Sequence, residues 1–148
     1  MASNNLKAMK ALHITRKKIR CALAETSLME LANLFFKSKR TSIPIVDKKR
    51  IVLGVLTEID ILRAFVEGRE LHSLTAGQLI NVGFITAEKE SPVFAAAKSM
   101  VDNNIHQIPV LKDGKLVGVL NSKDILGVLS MTKQVDSNIK TIEIDLSE

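Results

Sequence analysis

The 148-residue chain has no tryptophan, no tyrosine, a single cysteine, three prolines and only five phenylalanines. With so few aromatic rings, the stacking platforms that hold single-stranded nucleic acids are scarce. No helix-turn-helix, zinc-finger or basic-zipper pattern appears either. Cys21 alone cannot close an intramolecular disulfide, and no Cys/His group has zinc-site spacing. No apolar run approaches the roughly 18 residues that a membrane span needs. The opening stretch "MASNNLKAMKALHITRKK" lacks both the apolar segment and the small-residue cleavage site of a secretory signal. These absences predict a cytoplasmic protein without membrane association. Three histidines, one cysteine and no tight Ser/His/Asp or paired-Glu arrangement leave nucleophilic and metal-assisted hydrolysis without a motif. The expectation is a protein that is not an enzyme, with no catalytic cofactor and no metal.

What is present is ordinary for a soluble domain: 46% hydrophobic and 25% charged residues, in a chain long enough to bury a core. Twenty-one Lys and Arg against sixteen Asp and Glu give a net charge of +5. The surplus gathers at Arg16 to Lys18, Lys37 to Arg40 and Lys48 to Arg50. Such clusters favour an anionic partner without naming one; the last reads as a solvated hairpin tip.

The strongest signal is an internal repeat. Setting Pro44 of "SIPIVD" on Pro109 of "QIPVLK", an offset of 65, places Leu28, Leu31, Ala32 and Phe35 on Val93, Ala96, Ala97 and Met100. Each set has the i, i+3, i+4, i+7 spacing of one buried helical stripe. Beyond the prolines, "DKKRIVLGVLTEIDIL" matches "KDGKLVGVLNSKDIL" once one residue is removed from the turn, so the offset becomes 64. The predicted fold is α/β (α+β), a tandem pseudo-two-fold repeat of β-α-β-β-α units. First strands are expected near Arg20 to Leu23 and Phe84 to Ala87. Ser27 with Glu30 reads as a capping box for one helix, and Ser91 as the cap of its counterpart with Pro92 in the first turn. Asp113-Gly114 supplies the second hairpin turn, and Gly68 ends the second helix of the first copy. The expected organisation is an extension over 1–8, a first unit over 9–68, a linker over 69–75, a second unit over 76–130 and a tail over 131–148. Alternation in the tail, from Ile139 to Leu146, allows a short strand. Strands so rich in Ile, Val and Leu require cover on both faces, so the halves should pack together with a cleft between them.

Both repeats carry a polar residue three positions before an aspartate where a strand gives way to a helix: Thr57 with Asp60, and Asn121 with Asp124. Free N–H groups at a helix start favour anions, and an ionised carboxylate can accept from the paired hydroxyls of a ribose. The same spacing is also an ordinary helix-start signature, in which the cap bonds the backbone and the acid favours the dipole.

The two halves resemble a tandem pair of cystathionine-β-synthase (CBS) domains, a Bateman module. The resemblance rests on "SIPIVDKKRIVLGVLTEIDIL" in the first copy and on "FITAEKES" and "HQIPVLKDGKLVGVLNSKDIL" in the second, and covers roughly residues 9–130. It implies a regulatory module, commonly a homodimer shaped as a flat disc, for an adenosine-containing ligand such as AMP, ADP, ATP or S-adenosylmethionine. It implies phosphate and ribose contacts at Thr57 and Asp60. In the second copy Asp124 matches but Asn121 replaces the hydroxyl residue; Lys123 could offset this, though a solvated lysine is the preferred plain alternative. It implies base contacts at Thr86 with Ile108 and Pro109 and at Cys21 with Ile43 and Pro44, where Cys21 departs from the threonine of the second copy. A basic residue before the hydrophobic-Pro pair reaches phosphate in some members. His106 has that place here, and Arg40, Thr41 and Ser42 are its first-copy counterparts. For His106 the plain alternative is a polar residue capping the preceding helix.

The expected function is nucleotide sensing in the inter-half cleft, transmitted to an unidentified partner protein. The rival readings are a ligand-free dimerisation or docking module and a nucleic-acid-binding protein acting through the basic clusters; the scarcity of aromatics weighs against the second.

Overall fold

The computed structural model of the chain describes residues 7–81, 83–131 and 141–147. The first half contains β1 (Ala22–Leu23), α1 (Leu28–Lys37), β2 (Ser42–Val46), β3 (Val52–Thr57) and α2 (Glu58–Val66). The second repeats this as β4 (Ala87–Glu88), α3 (Val93–Asn103), β5 (Gln107–Lys112), β6 (Lys115–Asn121) and α4 (Ser122–Met131). Each half forms a three-stranded sheet in sequence order, with its first pair parallel and its second antiparallel. The first strands are only two residues long and start later than the pattern suggests. Pro44 and Pro109 account for their placement. A proline in a central strand has no N–H to donate, and the parallel pairing begins one residue after it, at Ile45 and Val110.

Glycine and asparagine chemistry places the turns. Asp113 and Gly114 both have positive φ, 52° and 79°, as a tight two-residue hairpin turn requires. The first hairpin instead turns around Asp47, whose Oδ1 accepts from the N–H of Lys49 at 2.8 Å and of Ile51 at 3.0 Å. Its tip is more than a solvated loop, because the Arg50 carbonyl accepts from Leu116 N–H of the other half at 2.9 Å. Gly68, at φ 75°, follows α2 as expected. Asn104, left-handed at φ 52°, ends α3 and so takes the capping place considered for His106.

The helix starts depart from the capping expectations. Ser27 is the N-cap of α1 but makes no side-chain capping bond, and the N-cap of α3 is Pro92, one residue past Ser91. Backbone carbonyls serve these ends instead. Leu28 N–H donates to the Leu74 carbonyl at 3.0 Å, and Val93 N–H donates to the Met9 carbonyl at 2.7 Å. These two bonds are equivalent under the 65-residue repeat, and each comes from a segment that crosses over.

The stretch before each half packs on the other half. Residues 9–16 run along the second half, where Met9, Ala11 and Ile14 join the core built from α3, β5, β6 and α4. Residues 71–80 do the same on the first half through Leu71, Leu74, Ala76, Leu79 and Ile80. Ala11 and Ala76 start equivalent 3-10 turns and are both wholly buried. The repeated glycines follow from this crossing. A Cβ on Gly54 would stand 2.7 Å from Ile80 Cβ and 3.1 Å from the Asn81 carbonyl, and one on Gly118 would overlap Thr15 and the Arg16 carbonyl. Only glycine lets the crossing segment lie so close to β3 and β6.

Equivalent residues meet across the pseudo-two-fold axis. Ser42 Oγ donates to Gln107 Oε1, Ile51 bridges Lys115, and Val46, Val52 and Leu116 form a small interface core flanked by Ile19, Phe84 and Leu111. Residues 141–147 form neither helix nor strand, so the tail strand is not formed there; Ile139 and Lys140 lie outside the described residues. Among the described residues no helix is long and apolar enough to cross a membrane.

Candidate functional site

The crossing geometry opens two equivalent clefts, one on each side of the axis. The first, of about 630 Å³, sets Thr57, Glu58 and Asp60 of the first half against Asn81, Gly83, Phe84, Ile85 and the α3–β5 connection. The second, of about 580 Å³, sets Asn121, Ser122 and Lys123 against Arg16, Lys18, Ile19, Arg20 and the α1–β2 connection. Thr41, His106 and Gln107 border both clefts, next to the axis.

In the first cleft the helix start is tightly organised. Thr57 Oγ1 accepts from Asp60 N–H at 3.2 Å, and Asp60 Oδ2 accepts from Thr57 N–H at 2.8 Å and Thr57 Oγ1 at 2.9 Å. Asp60 Oδ1 accepts from Arg63 Nη1 at 3.1 Å. Glu58 N–H is taken by the Thr41 carbonyl at 3.1 Å, as Ser122 N–H is by His106 at 2.8 Å. Part of the anion-attracting N–H set is therefore already engaged within the fold.

Beside the second cleft the carboxylate is held differently: Asp124 is not among the lining residues, unlike Asp60 in the first. Arg16 Nε lies 3.1 and 3.0 Å from the two oxygens of Asp124, and its Nη2 lies 3.0 Å from Oδ1. Asn121 N–H adds a bond to Oδ2 at 3.3 Å. Hydrogen bonding to Asp124, reinforced by its charge, holds the Arg16 guanidinium above its ordinary value.

A family model described as "CBS domain" matches residues 11–67 and 76–131. The chain belongs to the CBS domain family. It is 31% identical over 105 residues to an L-aspartate semialdehyde sulfurtransferase of Methanocaldococcus jannaschii, covering 70% of this chain and 20% of that protein. It is 33% identical over 82 residues to the mitochondrial CBS domain-containing protein CBSX3 of Arabidopsis thaliana, covering 53% and 40%. The chain spans less than half the length of the curated relatives it matches, so enzyme names among them belong to much longer proteins. A crystal structure of a CBS domain pair in complex with 5′-methylthioadenosine and S-adenosyl-L-methionine superposes with a TM-score of 0.75 at 28% identity, covering 85% of this chain and 99% of that one. CBSX2 in complex with AMP superposes at 0.71 and 18% identity, covering 84% and 98%, a likeness of fold alone.

Within this CBS pair, the structure brings Thr57 and Asp60 together with Ser42 and His106 in the first cleft, and Asn121 and Lys123 with Arg40 and His106 in the second. Ser42 is buried through its bond to Gln107. Ile43, Pro44, Ile108 and Pro109 are fully buried, and the two isoleucines belong to the half-cores. Thr86 is half-buried, one residue beyond Ile85, which lines the first cleft. Exposed Cys21 meets Ile43 in a separate depression of about 550 Å³ against α1. Arg20 lines both that depression and the second cleft, so Cys21 adjoins the Asn121 side and not the Thr57 side. Each cleft therefore draws its helix start from one half and its strand-leading segment from the other.

Sequence reasoning noted Arg16, Lys18 and Lys39 only as basic clusters and did not bring Arg20, Asn81 or Phe84 to a site. The repeat offset held the necessary signal, because it carries Arg16 to Asn81 and Ile19 to Phe84. No group of His, Cys, Asp and Glu among the described residues could hold a metal ion.

Proposed function

We propose that this CBS domain pair is a cytoplasmic regulatory module that takes an adenosine-containing ligand in its inter-half clefts and passes the effect of binding to a partner protein. The observation that carries this reading is the cross-half composition of each cleft. A ligand reaching from Thr57 and Asp60 to Phe84 and Ile85 touches both halves, so it favours whichever relative arrangement gives it both sets of contacts. The 28%-identical CBS pair bound to two adenosine derivatives supports the ligand class. A homodimer fits the apolar helix faces described below.

The test is a melting series with AMP, ADP, ATP, S-adenosylmethionine and adenosine at millimolar concentration. A ligand bound only by the native state adds about 2.7 kcal/mol at a hundredfold excess over Kd. By a scale of roughly 2–4 °C per kcal/mol this is a shift of several degrees. A ligand-free interaction module is the second reading, favoured by the internal capping of Thr57 and Asp60. It predicts flat curves for every compound in the series.

A further inference from the structure

The two clefts are equivalent in backbone and opposite in charge. Arg16, Lys18 and Arg20 in the second cleft stand where the first has Asn81, Gly83 and Ile85. Lys39, Arg40 and Lys123 stand where it has Asn104, Ile105 and Ile59. The first cleft has no lysine or arginine in its lining and carries Glu58 and Asp60; in the second, Ser122 replaces Glu58. Arg16 is paired with Asp124, but among the described residues none of the other five cations takes part in an ion pair. A general basic surface would distribute its charge over both copies. Here six cations from three separate segments converge in one concavity. Concave walls focus such a field, and the mutual repulsion of the cations is relieved by a compact polyanion.

We infer that the clefts divide ligands by charge: the cleft of Asn121 takes a chain of two or three phosphates, and the cleft of Thr57 takes a nucleoside-like ligand without phosphate. The inference rests on the proposed function only for the adenosine part. The phosphate chain can be that of a nucleotide or an inorganic polyphosphate, since both present the same oxygens to Arg and Lys donors. Asn121, an amide in place of the Thr57 hydroxyl, keeps a donor toward such oxygens.

Titration calorimetry of the whole protein with adenosine, ATP and inorganic tripolyphosphate, at low and at high salt, tests the division. ATP and tripolyphosphate should each occupy one shared site per chain, with affinity that falls steeply as salt rises. Adenosine should bind elsewhere and be insensitive to salt. The double substitution Arg40→Ala with Lys123→Ala, at two exposed positions, should weaken both polyphosphates by about tenfold or more and leave adenosine unchanged. Lys112→Ala, an exposed lysine outside the clefts, should change nothing. In the converse direction, Ile59→Lys with Asn81→Arg should create a second tripolyphosphate site. ATP binding tighter than tripolyphosphate identifies the nucleotide as the source, and the reverse order identifies the inorganic chain. The inference is overturned if tripolyphosphate does not bind, or if its binding ignores the Arg40 and Lys123 substitutions. Tripolyphosphate binding without any adenosine compound would keep the charge division and remove the adenosine reading. Adenosine and ATP competing for one salt-insensitive site would do the opposite.

Discussion

Asp60 and Asp124 hold equivalent places at the ends of their strands, yet they differ in what they can still accept. A carboxylate has about four lone-pair positions. Asp124 has all of its capacity directed at Arg16 and Asn121, whereas Asp60 receives two bonds at Oδ2 and one at Oδ1. One ribose hydroxyl can therefore add to Asp60 directly, whereas Asp124 is reached only if Arg16 swings away. Leaving a charged acceptor without its donor costs about 1–3 kcal/mol, and roughly 1.4 kcal/mol is tenfold in affinity. Adenosine should accordingly bind about tenfold or more tightly than 2′-deoxyadenosine, and Asp60→Asn should abolish the difference while Asp124→Asn leaves it intact. Equal binding of the two nucleosides by wild-type protein in a calorimeter would return Asp60 to a purely capping role. The glycines give a second residue-level prediction. Gly54→Ala, aimed at Ile80, should destabilise by about 1–3 kcal/mol and Gly118→Ala by at least as much, because its added carbon meets a backbone carbonyl much more closely than the 3.1 Å at Gly54. Gly127→Ala should act oppositely. It lies inside α4 with nothing within 4 Å of the added carbon, so it should stabilise by about 0.4–1 kcal/mol. Denaturant midpoints measure all three.

Among the elements, the crossing segments do the most to make two halves into one molecule. Residues 9–14 supply the second half with the Met9 carbonyl that caps α3, with wholly buried Ala11 and with Ile14. A chain beginning at Thr15 should therefore lose about 2–4 kcal/mol of stability. Hydrogen exchange should show the loss of protection in α3, β5 and β6 before β2 and β3. Uniform loss in both sheets would mean that the halves do not depend separately on their borrowed segments. These segments also mark the limit of what could be read beforehand. Helical stripes such as Leu28, Leu31 and Phe35, and turns such as Asp113-Gly114, declare themselves locally through period or backbone chemistry. Met9, Ala11 and Ile14 have no such period, because the core they fill is built from distant residues, from Val93 to Ile125. Two-residue strands are likewise too short to alternate. The same distinction holds at the site. Thr57, Asp60, Asn121 and Asp124 were legible because they recur on a helix start, whereas Arg16 and Arg20 reach their cleft from the other half. Their role depends on pairings such as Arg16 with Val119, which no local pattern encodes.

On the scale of the whole molecule, the helices keep apolar faces that neither half buries. Leu62 and Phe65 of α2 are 54% and 66% exposed, and Leu126 of α4, the equivalent of Leu62, is 60% exposed. On the partner helices Phe36 and its equivalent Val101 are 88% and 80% exposed, as large apolar side chains on a monomer's surface seldom are in such number. Because the exposure repeats with the 65- and 64-residue offsets, the pseudo-two-fold axis relates two similar apolar faces. A second copy can cover both in a closed two-fold pair, in which each patch meets its own kind and no face is left to propagate a fibre. The wild-type chain should thus be a dimer by light scattering at micromolar concentration. Leu62→Glu and Leu126→Glu should each shift it toward monomer, since a charge without a partner in an apolar contact is costly. Neither residue lines a cleft, so tripolyphosphate and adenosine should still bind the monomeric variants. If wild-type protein is monomeric across that range, or if only one of the two substitutions dissociates the dimer, the closed arrangement is wrong and at least one helix face is left for the regulated partner.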